Sequence, residues 1–171
     1  ATLSLNNAND FDGPVVISNG TVIAGNNAAF GSTVGATYIL PGATLDVAGN
    51  RDHLAEWFHV GGAGVGGTGA VVNVSGADSQ NPIEVMVLTD DTTFGGPRRW
   101  DIRDNGRGAV LSGGTNTLTK VGASYVPLVG VAADLGDIVI NEGKFALETG
   151  TKINTTFGIT GNSGGIFSVY Q

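Results

Sequence analysis

Apolar and polar residues alternate in short bursts along this chain, and the bursts end at glycine, asparagine or proline. Thr44-Leu45-Asp46-Val47 lies between Gly42 and Gly49, and Asp137-Ile138-Val139-Ile140 between Gly136 and Gly143. Alternation with period two marks a half-buried strand, because successive side chains of a strand leave on opposite faces. The pattern predicts strands over 14–18, 21–24, 37–40, 44–47, 57–60, 70–74, 84–89, 99–103, 109–112, 117–121, 125–129, 137–140, 144–148, 152–154 and 165–169. Breaks fall at Asn19-Gly20, Pro41-Gly42, Gly49-Asn50, Gly61-Gly62, Gly66-Gly67, Gly95-Gly96, Gly113-Gly114 and Glu142-Gly143. Helical flavour is confined to 52–58, too short to hold alone.

Strands this short, punctuated this regularly, predict coils stacked about 4.8 Å apart. A sandwich would instead need tight hairpins, and the clear Asn-Gly signals are Asn19-Gly20 and Asn105-Gly106. The expected fold is all-β, a single-stranded parallel solenoid, with no linker to divide residues 1–171. Leu45, Val47, Val72, Val74, Val85, Val87, Ile138 and Ile140 are expected to form its inward ladders.

Composition narrows the picture. Glycine fills 29 of 171 positions without a collagen triplet, and apolar residues at 41% suffice for a core. The net charge of −7 and the scattering of basic residues, apart from Arg98, Arg99, Arg103 and Arg107, argue against nucleic acid and against an anionic membrane surface. Cysteine is absent, which removes disulfides, thiol catalysis and thiolate metal sites. Low lysine with much Asn, Thr, Ser and Gly points to a secreted or cell-surface bacterial β-protein. No charged-then-apolar segment opens the chain, so Ala1 reads as the start of a processed or excised piece.

A family resemblance rests on phrases in a set order: Gly42-Ala43-Thr44-Leu45-Asp46-Val47, the run from Val60 to Ala70, Thr93-Phe94-Gly95-Gly96 with Arg99-Trp100-Asp101-Ile102-Arg103, Leu118-Thr119-Lys120-Val121-Gly122-Ala123, and Asn141-Glu142-Gly143-Lys144-Phe145. They span about 37–150, and together resemble the autotransporter-associated β-strand repeats of bacterial secreted and surface proteins. The resemblance implies a right-handed parallel β-helix. Such segments occur in adhesin passengers and as modules of secreted polysaccharide-degrading proteins. A small β-helix of this kind also resembles the β-helical xylan-binding modules attached to bacterial xylanases, from which no residue role is carried over.

What the repeat does not explain is the candidate site. Alternation turns Phe58 and Val60 inward and leaves Trp57 and His59 outward. An indole stacks on the C–H face of a sugar ring, while His59, Glu56 and Asp52 offer hydrogen bonds to hydroxyls; the competing reading is that Trp57 covers a coil corner. Tyr125 is expected outward beside inward Val126 and Leu128, and Tyr38 has an open register. Trp100 shares a face with Ile102, so packing is its first reading, with Asp101 and Arg103 paired on the surface. Arg98 and Arg99 are suited to orienting an acidic sugar through a guanidinium fork.

Catalytic signals are thin. No serine sits in a nucleophile elbow, and Gly61–Gly67 lacks the helix that a dinucleotide fingerprint requires. His53 and His59 lack a third zinc ligand nearby. Asp90-Asp91, Asp10 with Asp12 and Asp101 with Asp104 offer oxygen ligands for structural calcium, but read first as turn formers. The expectation is a non-enzymatic carbohydrate-binding module without cofactor, carried by Trp57, His59, Glu56, Tyr125, Trp100, Arg98, Arg99 and Asp101. Its partner would be plant cell-wall polysaccharide, xylan first, with a fused glycoside hydrolase. The alternatives are a structural stalk or adhesin segment and, third, a small β-helical lyase.

Overall fold

The structure, a computed structural model, describes residues 1–49, 52–53, 56–75, 77–155 and 158–170. Positions 54 and 55 of the helix-flavoured stretch, and Asn50 of one expected break, lie outside the described residues. Among the described residues there is no α-helix, and no helix long and apolar enough to cross a membrane.

The chain winds as a parallel β-helix of about seven coils. Every strand pair is parallel, with partners from 19 residues apart in sequence, as Tyr125 and Lys144, to 30, as Gly62 and Thr92. Three sheet faces line the coil, called the first, second and third sheet; the first two are joined through the long strand Val85–Phe94 into one sheet of fourteen strands, and the third is a separate sheet of five. The first stacks Thr2–Leu5, Gly20–Ala24, Ala43–Asp46, Val71–Val72, the end of Val85–Phe94, Leu118–Lys120, Ile138–Ile140 and Ile159–Gly161. The second stacks Val15–Ile17, Thr37–Ile39, Trp57–Gly62, the start of Val85–Phe94, Val110–Ser112, Ala132–Leu135 and Lys152–Thr155. The third stacks Ser79–Ile83, Trp100–Arg103, Tyr125–Val129, Gly143–Glu148 and Gly165–Val169. In the early coils loops stand in for this third sheet, and there Phe30 fills the interior edge-on to Phe58 at 5.6 Å.

The core follows from register. Ile17, Ile39, Val60 and Leu88 stack rung on rung, as do Ile83, Ile102, Leu128 and Leu147, and all are buried. Leu45, Val47, Ile138 and Ile140 point inward as expected. Val85 and Val87 do not: Met86 and Leu88 take the inward positions. Val85-Met86-Val87-Leu88 is apolar throughout, so alternation there cannot choose a face. Val72 and Val74 are outward too: register pairs Val72 with Asp46 and gives Val71 the inward place between Leu45 and Phe94, while the buried Asn73 side chain holds the corner, donating to the carbonyls of Ala77 and Arg99. At the outermost rungs, Leu3, Phe167 and Val169 occupy inward registers yet are exposed.

One member of the inward stack is a lysine. Lys120 lies between Phe94 and Ile140, fully buried, and its Nζ donates to the carbonyls of Val121 at 2.8 Å, Gly122 at 2.7 Å and Glu142 at 3.2 Å. Burial pushes it down to about 8. The same corner demands glycine. Gly143 has φ +67, and a Cβ there would lie 2.6 Å from the Ser124 carbonyl oxygen and 2.9 Å from Lys120 Nζ.

Candidate functional site

The expected site residues lie on two different outward faces, with Trp100 and Glu56 on neither. On the second sheet, Phe58 and Val60 are sealed inside, which puts Trp57 and His59 outside, as period two requires. Trp57 is 54% exposed. His59 is half-buried and lies against its register partner Tyr38, ring centroids 4.7 Å apart and planes 13° from parallel. Val16, directly beyond Tyr38 in the same row, is exposed. A hollow of about 280 Å³ opens beside the indole, lined by Thr33, Val34, Gly35, Ala36, Trp57 and His59. The result is an outward aromatic patch of Trp57, His59 and Tyr38 beside a hollow of mixed character, with Thr33, the imidazole and the phenol as its polar groups.

Glu56 does not join it. Its side chain is buried, and Oε1 accepts a hydrogen bond from Thr37 Oγ1 at 2.7 Å. Burial pushes this carboxyl above the usual carboxylate range, opposed by the Thr37 bond. It opens onto a separate cleft of about 360 Å³ shared with Asn27, Thr33, Asp52, His53 and Arg107. Adjacent residues leave the backbone on opposite sides, so Glu56 and Trp57 cannot serve one ligand face. The expectation that Glu56 and Asp52 support sugar hydroxyls at Trp57 is corrected accordingly.

On the third sheet, the fold gathers Tyr125, Arg99 and Asp101 with Arg103, Lys144, Glu148 and Tyr170. Asp101 is fully buried and holds two arginines: Arg99 donates Nε to Oδ1 at 2.7 Å and Nη2 to Oδ2 at 2.9 Å, and Arg103 donates Nη2 to Oδ2 at 2.7 Å. The pairing of Asp101 with Arg103 is as read, but the carboxylate is clamped beneath the guanidinium groups and unavailable to a sugar. Tyr125 turns outward, with Val126 and Leu128 buried. Its ring is not open: Arg99 lies 4.8 Å and Lys144 Nζ 4.7 Å from its centroid. Its hydroxyl donates to Glu148, and burial with that carboxylate raises its pKa. Tyr125 is therefore the centre of a cation–π stack and no stacking platform for a sugar.

Trp100 is fully buried, edge-on to Phe94 at 4.9 Å, with Nε1 donating to the Gly95 carbonyl at 3.1 Å. The packing reading holds, and its place among sugar-contacting residues is corrected. Arg98 is exposed on the turn entering the Trp100–Arg103 strand. Lys144, Glu148 and Tyr170 escaped sequence reading. The alternation around Phe145 and Leu147 gives Lys144 and Glu148 their outward direction, but only register sets Lys144 beside Tyr125.

Of the candidate calcium aspartates, Asp104 closes a turn and Asp101 is held by two arginines. Asp104 Oδ1 accepts the backbone N–H groups of Gly106, Arg107 and Gly108 at 2.8, 3.0 and 2.9 Å, which hold its pKa below the usual range. Among the described residues, no group of three or more His, Cys, Asp or Glu is placed to hold a metal ion. Gly61 and Gly62 end a strand and Val65–Gly67 forms a 3₁₀ turn, so the glycine run is a coil corner. Compared with known proteins, the chain matches no family model, no curated relative and no solved structure.

Proposed function

We propose that this β-helix is a non-catalytic carbohydrate-binding module whose ligand lies on the second sheet at Trp57. The observation that carries the reading is the indole itself, 54% exposed on a flat sheet beside the Tyr38–His59 stack. Leaving that much aromatic surface in water is unfavourable by about 1–2 kcal/mol unless something covers it. An extended β-glycan suits the face. Rungs repeat at about 4.8 Å, so two rungs approach the length of one disaccharide unit. Xylan of plant cell walls is the first candidate, and a fused secreted glycoside hydrolase is the partner domain this role implies. Affinity should be modest, because the hollow is shallow and its rim stays wet. Titration with xylo-oligosaccharides tests the reading: Trp57→Ala should weaken binding at least about tenfold, as loss of a central aromatic contact does. Unchanged binding in that variant would remove the site.

A second reading is a structural stalk or adhesin segment. Parallel rungs stacked in regular register give a rigid rod, which such a segment needs without any ligand. This reading expects no retardation in affinity electrophoresis across a panel of polysaccharide gels.

A further inference from the structure

The third-sheet cluster lies on a different face from Trp57 and has chemistry of its own. Arg99, Arg103 and Lys144 stand there against Asp101 and Glu148, a local excess of positive charge on a chain of net charge −7. The cations are held in place. Arg99 engages Nε and Nη2 with Asp101 and rests on the Tyr125 ring. Arg103 engages Nη2 with Asp101 and Nε with the Gln80 carbonyl, 2.9 Å away. Each guanidinium carries five N–H donors, so each keeps its Nη1 group for a further acceptor. Their side chains remain 22% and 23% exposed. Lys144 Nζ sits between the Tyr125 and Tyr170 rings, 4.7 and 4.6 Å from their centroids, and donates to the Tyr170 hydroxyl. Tyr170, 48% exposed, supplies an aromatic surface at the edge of the cluster.

We infer that this outward face of the third sheet is a second binding site, for the carboxylate of a uronic acid residue in an acidic glycan. A planar carboxylate matches pre-positioned guanidinium donors. The exposed Tyr170 ring offers the sugar body a surface to rest on. The small local excess of charge suits isolated carboxylates, whereas the acidity of the whole chain opposes a densely charged polyphosphate. The inference stands apart from the Trp57 reading, since the residues and the sheet are different.

The experiment is calorimetric titration of the full chain with a short oligogalacturonate, its methyl ester and pyrophosphate. The oligogalacturonate should bind, lose affinity as salt is raised, and bind at least about tenfold more tightly than its ester, as expected for a charge-assisted contact. Arg103→Gln with Lys144→Gln should abolish that preference, while Trp57→Ala should leave it intact. The double variant keeps Arg99 bidentate on Asp101, and its thermal melt checks that it is folded. Equal affinity for the ester, an unchanged preference in the folded double variant, tighter binding of pyrophosphate, or no binding of oligogalacturonate would each overturn the inference. Loss of xylo-oligosaccharide binding in Trp57→Ala bears only on the other face.

Discussion

His59 lies flat on Tyr38, their planes 13° from parallel and their ring centroids 4.7 Å apart. The two residues are opposite one another on parallel strands, so the stack is a cross-strand pair of the kind that steadies a sheet face. It also firms the floor beside Trp57.

From that pair comes the first prediction. Tyr38→Ala and His59→Ala should each cost about 1 kcal/mol of stability and weaken xylo-oligosaccharide binding. The double variant should lose less than the sum of the singles, since either change alone breaks the stack. Urea denaturation and titration of the four proteins give both cycles. Strict additivity would mean that the rings are neighbours without coupling.

Trp100→Ala should behave oppositely to Trp57→Ala. It empties a fully buried site and removes the Nε1 donor to Gly95, so a loss of about 3–5 kcal/mol is expected. Phenylalanine should be milder, because Ser124 Oγ also donates to the Gly95 carbonyl, at 3.2 Å. Whatever fraction stays folded should bind glycan normally. Chemical denaturation paired with titration separates the two effects.

Gly143→Ala should disrupt the corner. The residue has φ +67, and the new methyl group would meet the Ser124 carbonyl oxygen at 2.6 Å. Gly114, with φ +59 and nothing within 4 Å of an added Cβ, isolates the conformational part. Gly114→Ala should cost about 1–2 kcal/mol, and Gly143→Ala clearly more. Equal midpoints in urea would show that the corner yields without penalty.

Glu56→Gln should stabilise the protein at neutral pH. The folded-state pKa of Glu56 is raised by burial, so between its ordinary 4.5 and that raised value the folded form holds a proton that the unfolded form has lost. Stability therefore falls as pH rises through this window, and the ionised carboxylate is a burden at pH 7. Glutamine keeps an oxygen for Thr37 and removes the charge. The melting temperature of the variant should exceed that of the parent at pH 7, with the gap closing as pH falls towards 4.5. A gap independent of pH would rule out ionisation as its cause.

Legibility varied with the clarity of alternation. Around Phe58 and Val60, polar or amphipathic neighbours separate the two faces, and the outward placement of Trp57 and His59 follows directly. Along Val85-Met86-Val87-Leu88 both faces are apolar, because the outward side is itself half-buried on the sheet, so the pattern does not tell Met86 and Leu88 from Val85 and Val87. The strands Thr2–Leu5, Ser79–Ile83, Ala132–Leu135 and Ile159–Gly161 went unread. Ser79–Ile83 carries Gln80, Asn81 and Pro82, which look like a loop until a neighbouring coil supplies the hydrogen bonds.

What the sequence determined alone was local: short strands, glycine corners, the all-β coil, and the inward or outward sense of Trp57, Trp100 and Tyr125. Each depends on the geometry of a few consecutive residues. Which outward residues share a face was decided only by the winding. Register between rungs, set by coil length and corner geometry, places Lys144 beside Tyr125 and His59 on Tyr38 while parting Trp57 from Arg99. Contacts between residues a full coil apart leave no periodic trace in the chain, so the division into two faces belongs to the tertiary structure.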